Sequence, residues 1–231
     1  MRAVLDRDYQ ETVGRDHVRR LMSILSLQAI YPGPKTSQPS PNHQVYPYLL
    51  RNIVAAYPNH IWGTDITYIR LAHGFCYLCA FLDWHSRFVL GWSLSNTMET
   101  SLCLNAWERA TEYGHPAINN SDQGSQFTSL DFTQAVLQSG AQISMDGRGR
   151  CLDNIFTERL WRSVKYEDIY PKQYQTIPEA RSGLTDYFQL YNYRRPHQSL
   201  NYRTPAEVYF NQPINLNQTK KEPNRLALLT P

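Results

Sequence analysis

Ile61-Trp-Gly-Thr-Asp65-Ile-Thr-Tyr-Ile-Arg-Leu71, then Ala72-His73-Gly74, then Phe75-Cys-Tyr-Leu-Cys-Ala-Phe-Leu-Asp83 is the stretch that decides how this chain folds. Both runs are rich in β-branched and aromatic residues, and His73-Gly74 reads as a turn between them. After Trp84-His85-Ser86 a third run of the same texture, Arg87–Ser95, follows. Three strands joined by short turns predict an antiparallel meander. Downstream, Glu99–Tyr113 reads as a helix stopped by Gly114 and Pro116, and Ala117–Asn119 as a short strand. Leu130–Gln138 reads as a helix with Gly140 just past its end, and Ala141–Met145 as another short strand. A helix then starts near Asp153-Asn154, good N-cap types, and runs towards Tyr166. The order strands, helix, strand, helix, strand, helix predicts an α/β fold, a mixed five-stranded sheet flanked by helices.

Outside this region the texture differs. Val18, Leu21, Met22 and Leu25 recur at helical spacing, so residues 16–26 read as an amphipathic helix with Arg15, Arg19 and Arg20 on its other faces. Five prolines from Pro32 to Pro47 read as an extended linker. Thr176-Ile-Pro-Glu179 and Thr204-Pro-Ala-Glu207 read as two capping boxes that start further helices. The expected organisation is therefore a helical segment at 1–30, a proline-rich linker at 31–51, a core at 52–172, a helical extension at 173–211 and a loose tail at 212–231.

With 231 residues, 42% of them hydrophobic, the chain has material for a real core. Its longest apolar run, Phe75–Leu82, falls far short of the ~20 residues of a membrane span. The N-terminal residues hold no apolar signal segment, and four cysteines do not make a disulfide scaffold. A reducing compartment, the cytoplasm, is expected. The net charge of +3 hides an uneven spread: residues 1–51 carry +3, residues 52–145 carry −4 and residues 146–231 carry +4. An acidic centre between basic flanks suits a site that holds cations against a polyanion, and also suits an ordinary solvated surface.

Three carboxylates stand out by position. Asp65 lies inside a strand among apolar neighbours, where a carboxylate is costly unless paired or metal-bound. Asp122 lies straight after a short strand, where ligand sites of α/β sheets collect. Glu158 lies early in a helix, and 35 residues, 123 to 157, separate it from Asp122. Three hard oxygen donors on separate elements are what a pair of Mg²⁺ ions needs, and two such ions ~4 Å apart serve both the attacking and the leaving oxygen at phosphorus.

Trp62-Gly-Thr-Asp65-Ile-Thr-Tyr-Ile69, Asn120-Ser-Asp122-Gln-Gly-Ser-Gln-Phe-Thr128 and Cys151-Leu-Asp-Asn154-Ile-Phe-Thr-Glu158-Arg-Leu-Trp161 together resemble the DDE integrase core of the insertion sequence three family of bacterial transposases. Tyr191-Asn-Tyr-Arg-Arg-Pro-His-Gln-Ser-Leu200 and Arg203-Thr-Pro-Ala-Glu-Val-Tyr209 resemble the C-terminal signature of that family. The resemblance covers roughly residues 15–210. It implies a ribonuclease H-like core at 52–172 and a partial helix-turn-helix at 1–30. It also implies that Asp65, Asp122 and Glu158 are the catalytic, metal-holding triad, with two Mg²⁺ ions and Mn²⁺ as a substitute. The implied activity is strand cleavage and strand transfer at insertion-sequence ends. The implied partners are DNA, further copies of the chain in a synaptic complex, and an upstream reading frame that supplies end recognition and a coiled coil. No sustained heptad occurs in this sequence. The rival reading is a truncated, non-catalytic DNA-binding remnant that interferes with a full-length transposase.

Further residues have two readings each. Arg162 and Lys165, at i+4 and i+7 from Glu158, either reach DNA phosphates or form a solvated helix face. Asn154 either orients Glu158 or caps its helix. Gln123 and its neighbours either serve a phosphate or make a turn. Arg194, Arg195 and His197, beside Tyr191 and Tyr193, either track a nucleic-acid backbone or pack a helix hairpin. Cys76 and Cys79 form a CxxC, but at i, i+3 on a strand they face opposite sides, which argues against zinc. The five tryptophans read as core.

Overall fold

The computed structural model describes residues 2–25, 44–147 and 154–213. Most of the proline-rich stretch, Asp153 and the tail from 214 lie outside them. The central sheet has five strands in the order β3-β2-β1-β4-β5. β1 (Ile61–Leu71), β2 (Gly74–Asp83) and β3 (Val89–Ser95) form the expected antiparallel meander. β4 (Ile118–Ser121) and β5 (Gln142–Met145) add on parallel to β1. The mixed five-stranded sheet flanked by helices is the fold class that the sequence predicts.

Local chemistry sets the turns. Leu71 pairs with Gly74, so the first hairpin turns at Ala72-His73, one residue before the expected place, and Gly74 takes the positive φ of +105°. The second turn is built on Asp83, whose buried carboxylate accepts from the Ser86 amide and hydroxyl and from the Asn59 amide. Burial still pushes the Asp83 carboxyl up, against those three donors.

Two helical layers cover the sheet. α3 (Thr100–Thr111) and α4 (Leu130–Gln138) lie on one face, over Trp62, Phe81, Leu90 and Ile143. Gly91 lets α3 approach closely: a Cβ there would meet the Ala106 carbonyl oxygen at 2.4 Å. Ser129 caps α4 by accepting from the Phe132 amide, and Gly140 follows its end with φ +86°. On the other face lie α5 (Ile155–Val164) and α7 (Ile177–Tyr193), over Ile69, Leu78, Leu82 and Trp92. α5 does not stop near Tyr166. It continues through a π-helical turn (Lys165–Ile169) into α6 (Tyr170–Lys172). Tyr174, Asp168 and Lys172 lock this extension: Asp168 accepts from the Tyr174 hydroxyl at 2.8 Å and pairs with Lys172 at 2.6 Å.

The two capping boxes turn out unequal. At α8 (Pro205–Tyr209) Thr204 and Glu207 cap reciprocally. At α7 the Thr176 hydroxyl accepts from Glu179, but the Glu179 carboxylate accepts from the Gln175 amide, so that box is only half formed. Residues 44–50, the described end of the proline-rich stretch, run beside β5: the Leu49 amide donates to Ser144 Oγ, and Leu50 is buried with Ile61, Trp84 and Ile118. They cover the free edge that β5 would otherwise expose.

The chain divides into two compact units, residues 1–39 and 40–231. The first holds the expected amphipathic helix, α2 (Arg15–Ile24), and a helix that the sequence did not suggest, α1 (Arg2–Tyr9). Among the described residues no helix is long and apolar enough to cross a membrane.

Candidate active site

Alternation along β1 creates the site. Trp62 and Ile66 point into the α3–α4 core, so Gly63 and Asp65 point to the α5 side. There the Trp161 indole N–H donates to Asp65 Oδ2 at 2.8 Å. Burial pushes the Asp65 carboxyl up to about 6; the Trp161 hydrogen bond opposes that rise, and the charges of Asp122 and Glu158 add to it.

Asp122 is the first residue beyond β4 and is exposed. The Gly124 amide donates to its Oδ1 at 2.9 Å, and a Cβ on residue 124 would crowd that same oxygen. The loop after Asp122 is anchored at both ends: Gln123 Nε2 donates to the Asp146 carbonyl and Gln126 Nε2 to the Met98 carbonyl. Glu158 sits in the first turn of α5, also exposed.

α5 is positioned by the strand beneath it. Asn154 stands at its N-cap, but its side chain makes no capping bond. Instead its Nδ2 donates to the carbonyl of Thr64, next to Asp65, and its Oδ1 accepts from Thr157. Gly63 leaves the space for this: a Cβ there would strike Trp84 Nε1, Thr157 Oγ1 and Asn154 Oδ1. With the Trp161 bond, these contacts tie the helix of Glu158 to the strand of Asp65.

The other candidates separate. Glu158 and Arg162 are exposed on α5 and make no ion pair with each other, and Lys165 is half-buried where the π-helical turn begins. Arg194 is exposed. Arg195 pairs with Glu167, donates to the Tyr187 hydroxyl and lies over the Tyr191 ring, so it joins the π-helical turn to α7. His197 is packed edge-on against Tyr191, and burial, with the nearby Arg195 and Arg87 charges, lowers it to about 4. Cys76 and Cys79 fall in the cores on opposite sides of the sheet, as their spacing predicts. All five tryptophans are buried. Sequence reading took Trp161 for core alone and passed over Asp146. The signals were there: Trp161 is three residues from Glu158, and Asp146 ends β5 as Asp122 ends β4.

The three carboxylates do not form a ready-made ligand cage. Among the described residues no group of three His, Cys, Asp or Glu side chains stands close enough to hold a metal ion.

Residues 55–151 match a family described as Integrase core domain, and residues 139–205 match a second family of the same description. The chain is 35% identical over 166 residues to the transposase for insertion sequence element IS904 of Lactococcus lactis, covering 70% of this chain and 66% of that protein. It is 30% identical over 200 residues to the transposase for insertion sequence element IS629 of Shigella sonnei, covering 85% and 68%. It is 31% identical over 207 residues to the putative transposase InsK for IS150 of Escherichia coli, covering 84% and 70%. The chain thus spans about two thirds of the length of these relatives. Among solved structures, the integrase catalytic core domain of HTLV-2, in complex with magnesium in a dimeric form, superposes with a TM-score of 0.56 at 19% identity, over 68% of this chain and 99% of that one. A chain of the simian T-cell lymphotropic virus intasome superposes with a TM-score of 0.60 at 18% identity, over 74% and 60%. At such identities the likeness speaks for the fold, which is ribonuclease H-like.

Proposed function

The chain belongs to the DDE transposases of the insertion sequence three family, and we propose that its acidic site cleaves and joins DNA strands at the ends of such an element. The observation that carries this reading is the Trp161–Asp65 bond, which ties the helix of Glu158 to the strand of Asp65, itself paired with β4, whose end bears Asp122. The donor set is all carboxylate oxygen, the chemistry Mg²⁺ prefers. Two of the three donors are exposed. The Asp65 carboxyl, held at about 6 by burial and by its neighbours, gains most from a cation. Asp65, Asp122 and Glu158 are therefore the residues assigned to hold metal. Bound there, a pair of Mg²⁺ ions, or Mn²⁺ in their place, supplies Lewis acidity to the attacking and leaving oxygens.

The protein contributes position. Trp161 fixes one oxygen of Asp65, the Gly124 amide fixes one oxygen of Asp122, and Asn154 and Thr157 fix the helix of Glu158. In the first reaction a water oxygen forms a new bond to phosphorus, the P–O bond to the 3′ oxygen breaks, and a 3′-hydroxyl is freed. In the second that hydroxyl attacks another phosphodiester, and one strand is joined as another is released. Neither step needs a protein nucleophile. Arg162 and Lys165, one and two turns beyond Glu158, are assigned to DNA phosphates. Arg194 is a further candidate, while Arg195, Gln123 and Asn154 have intramolecular partners that compete with such a role. The partners in this reading are element ends and target DNA, further copies of the chain in a synaptic complex, and the product of an upstream frame.

The test is a branched DNA in which an element end is already joined to target, so that little end recognition is required. Strand resolution is measured with Mg²⁺ or Mn²⁺ for the natural chain and for Asp122→Asn. Metal-dependent product that vanishes in the variant is expected. No product from a folded, DNA-binding natural chain would leave the non-catalytic remnant. Product from both proteins would remove Asp122 from the triad.

A further inference from the structure

We infer that Asp146 is a positioning residue for Asp122, holding the strand end and loop on which that carboxylate stands; this rests on the reading of Asp122 given above. Asp146 follows the last residue of β5 as Asp122 follows the last residue of the neighbouring β4, and Ser121 pairs with Met145 in the parallel register. The alternation that puts Asn120 and Asp122 on the α5 side puts Ser144 and Asp146 there too. Three different atoms of Asp146 then bond to three residues that bracket Asp122. Its amide donates to the Ser121 carbonyl, its side-chain Oδ1 accepts from Asn120 Nδ2, and its carbonyl accepts from Gln123 Nε2, each at 2.9 Å. Residues 120, 121 and 123 are fixed to Asp146, and only the side chain of Asp122 between them remains exposed.

The residue type matters as well as the place. Asp146 is 8% exposed, on the face that carries the three carboxylates. What the side chain supplies is an acceptor oxygen for the Asn120 NH₂, which a side chain of the same reach can also offer. Among the described residues the buried Asn120 Oδ1 has no hydrogen-bond partner, so the Asp146 bond is the one there that orients this amide. Asp146 also stands where the chain leaves β5 towards α5, the helix of Glu158. Its clamp therefore acts at the passage between the second and third acids.

The experiment compares the natural chain with Asp146→Asn, Asp146→Ala and Asp122→Asn on the branched substrate, across a Mg²⁺ titration. Thermal midpoints are read with and without Mg²⁺. Asn keeps an acceptor oxygen at the same reach, so Asp146→Asn is expected to stay within about threefold of the natural rate. Asp146→Ala should lose about tenfold or more, need several times more Mg²⁺ for half-maximal rate, and show a smaller Mg²⁺-induced rise in melting temperature. If the Ala variant does not fold, Asp146→Ser, too short to reach Asn120, takes its place with the same expectation. Asp146→Ala at the natural rate, with Asp122→Asn dead, would overturn the positioning role and leave the triad standing. Asp146→Asn as inactive as Asp146→Ala would also overturn it, since the charge itself would then be in use. An active Asp122→Asn would overturn the underlying reading instead.

Discussion

On the α3–α4 side of β1, Trp62 meets Trp107 with ring centroids 5.6 Å apart, and Phe81 meets Trp107 at 5.4 Å and Phe132 at 6.3 Å. On the α5 side, at the same level of the same strand, stand Gly63 and Asp65, with Asn120, Asp122 and Asp146 on the next two strands. One face is a dry aromatic core in which each ring adds burial and edge-on contact. The other adds acids, one inside β1 and others at the ends of β4 and β5, to its own apolar core. Burial that stabilises Phe81 opposes Asp65: a carboxyl held at about 6 against an ordinary 3.8 destabilises the folded state by roughly 3 kcal/mol at neutral pH. Both faces bury an apolar core, but only the α5 side also carries the acids, so packing and chemistry are separable by mutation.

The largest expected effect is a crossed pair of substitutions. Asp65→Asn should lower strand resolution by at least about 10³-fold, some 4 kcal/mol of barrier. In metal-free buffer at pH 8 the same change should raise unfolding free energy by about 1–2 kcal/mol, because the amide retains the Trp161 bond without a charge to desolvate. Phe81→Ala should do the reverse, losing about 3 kcal/mol of stability while the rate per folded molecule stays within about twofold. Denaturant melts and single-turnover rates on both variants decide it. A destabilised Asp65→Asn, or a folded but inactive Phe81→Ala, would break the division between the faces.

The sequence shows this division at some residues and hides it at others. The meander was legible because β1 and β2 are rich in β-branched and aromatic residues, with His73-Gly74 as a turn signal between them. Asp65 was legible because a carboxylate inside such a strand demands a reason, and Asp122 because strand ends in α/β sheets collect ligands. Other features depend on tertiary contact that one-dimensional spacing does not carry. The Trp161 indole looks like core until its N–H is seen on Asp65. Asp146 looks like a loop acid until β4 and β5 are seen side by side. α1 has no apolar stripe to announce it, and the π-helical turn at Lys165–Ile169 breaks the 3.6-residue period that would have extended α5. Arg195 illustrates the converse: a basic residue in a basic cluster, yet its guanidinium holds Glu167 and Tyr187.

A smaller change sharpens the comparison, because Trp161 belongs to both worlds: its ring is buried in the α5–α7 core and its N–H serves the site. Trp161→Phe keeps most of the ring and removes the donor. The Asp65 carboxyl should then titrate higher still, since the lost bond is the stronger of the two that lower it, the other coming from the Ile66 backbone. Resolution should fall about tenfold at neutral pH and recover in part at higher pH or higher Mg²⁺, because each restores the ionised carboxylate. A pH–rate profile unchanged in shape would mean that Trp161 acts by packing alone.

The smallest effect is one of cancellation. Asp65 has its pKa raised on folding, so the native state favours its protonated form; the stability this gives is present below pH 3.8 and is lost as pH rises through about 6. Asp83, also raised by burial, adds the same sign. His197 is lowered from 6.5 to about 4, so its stability is present above pH 6.5 and is lost as pH falls through about 4. The windows overlap between about pH 4 and 6 with opposite slopes. The natural chain in metal-free buffer should therefore show a nearly level melting curve against pH in that range. Asp65→Asn should leave the histidine slope, with stability rising by about 1–2 kcal/mol from pH 4 to 6.5, and His197→Gln should leave the carboxyl slope, with stability falling by a similar amount. Saturating Mg²⁺ should act on the natural chain as Asp65→Asn does, because a bound cation removes the penalty on the ionised carboxylate. If the two single variants kept level profiles, neither group would be buried as described. If only the Mg²⁺ effect were missing, Asp65 would be a buried acid that binds no metal, and the acidic face would lose its claim to the chemistry while the fold kept its shape.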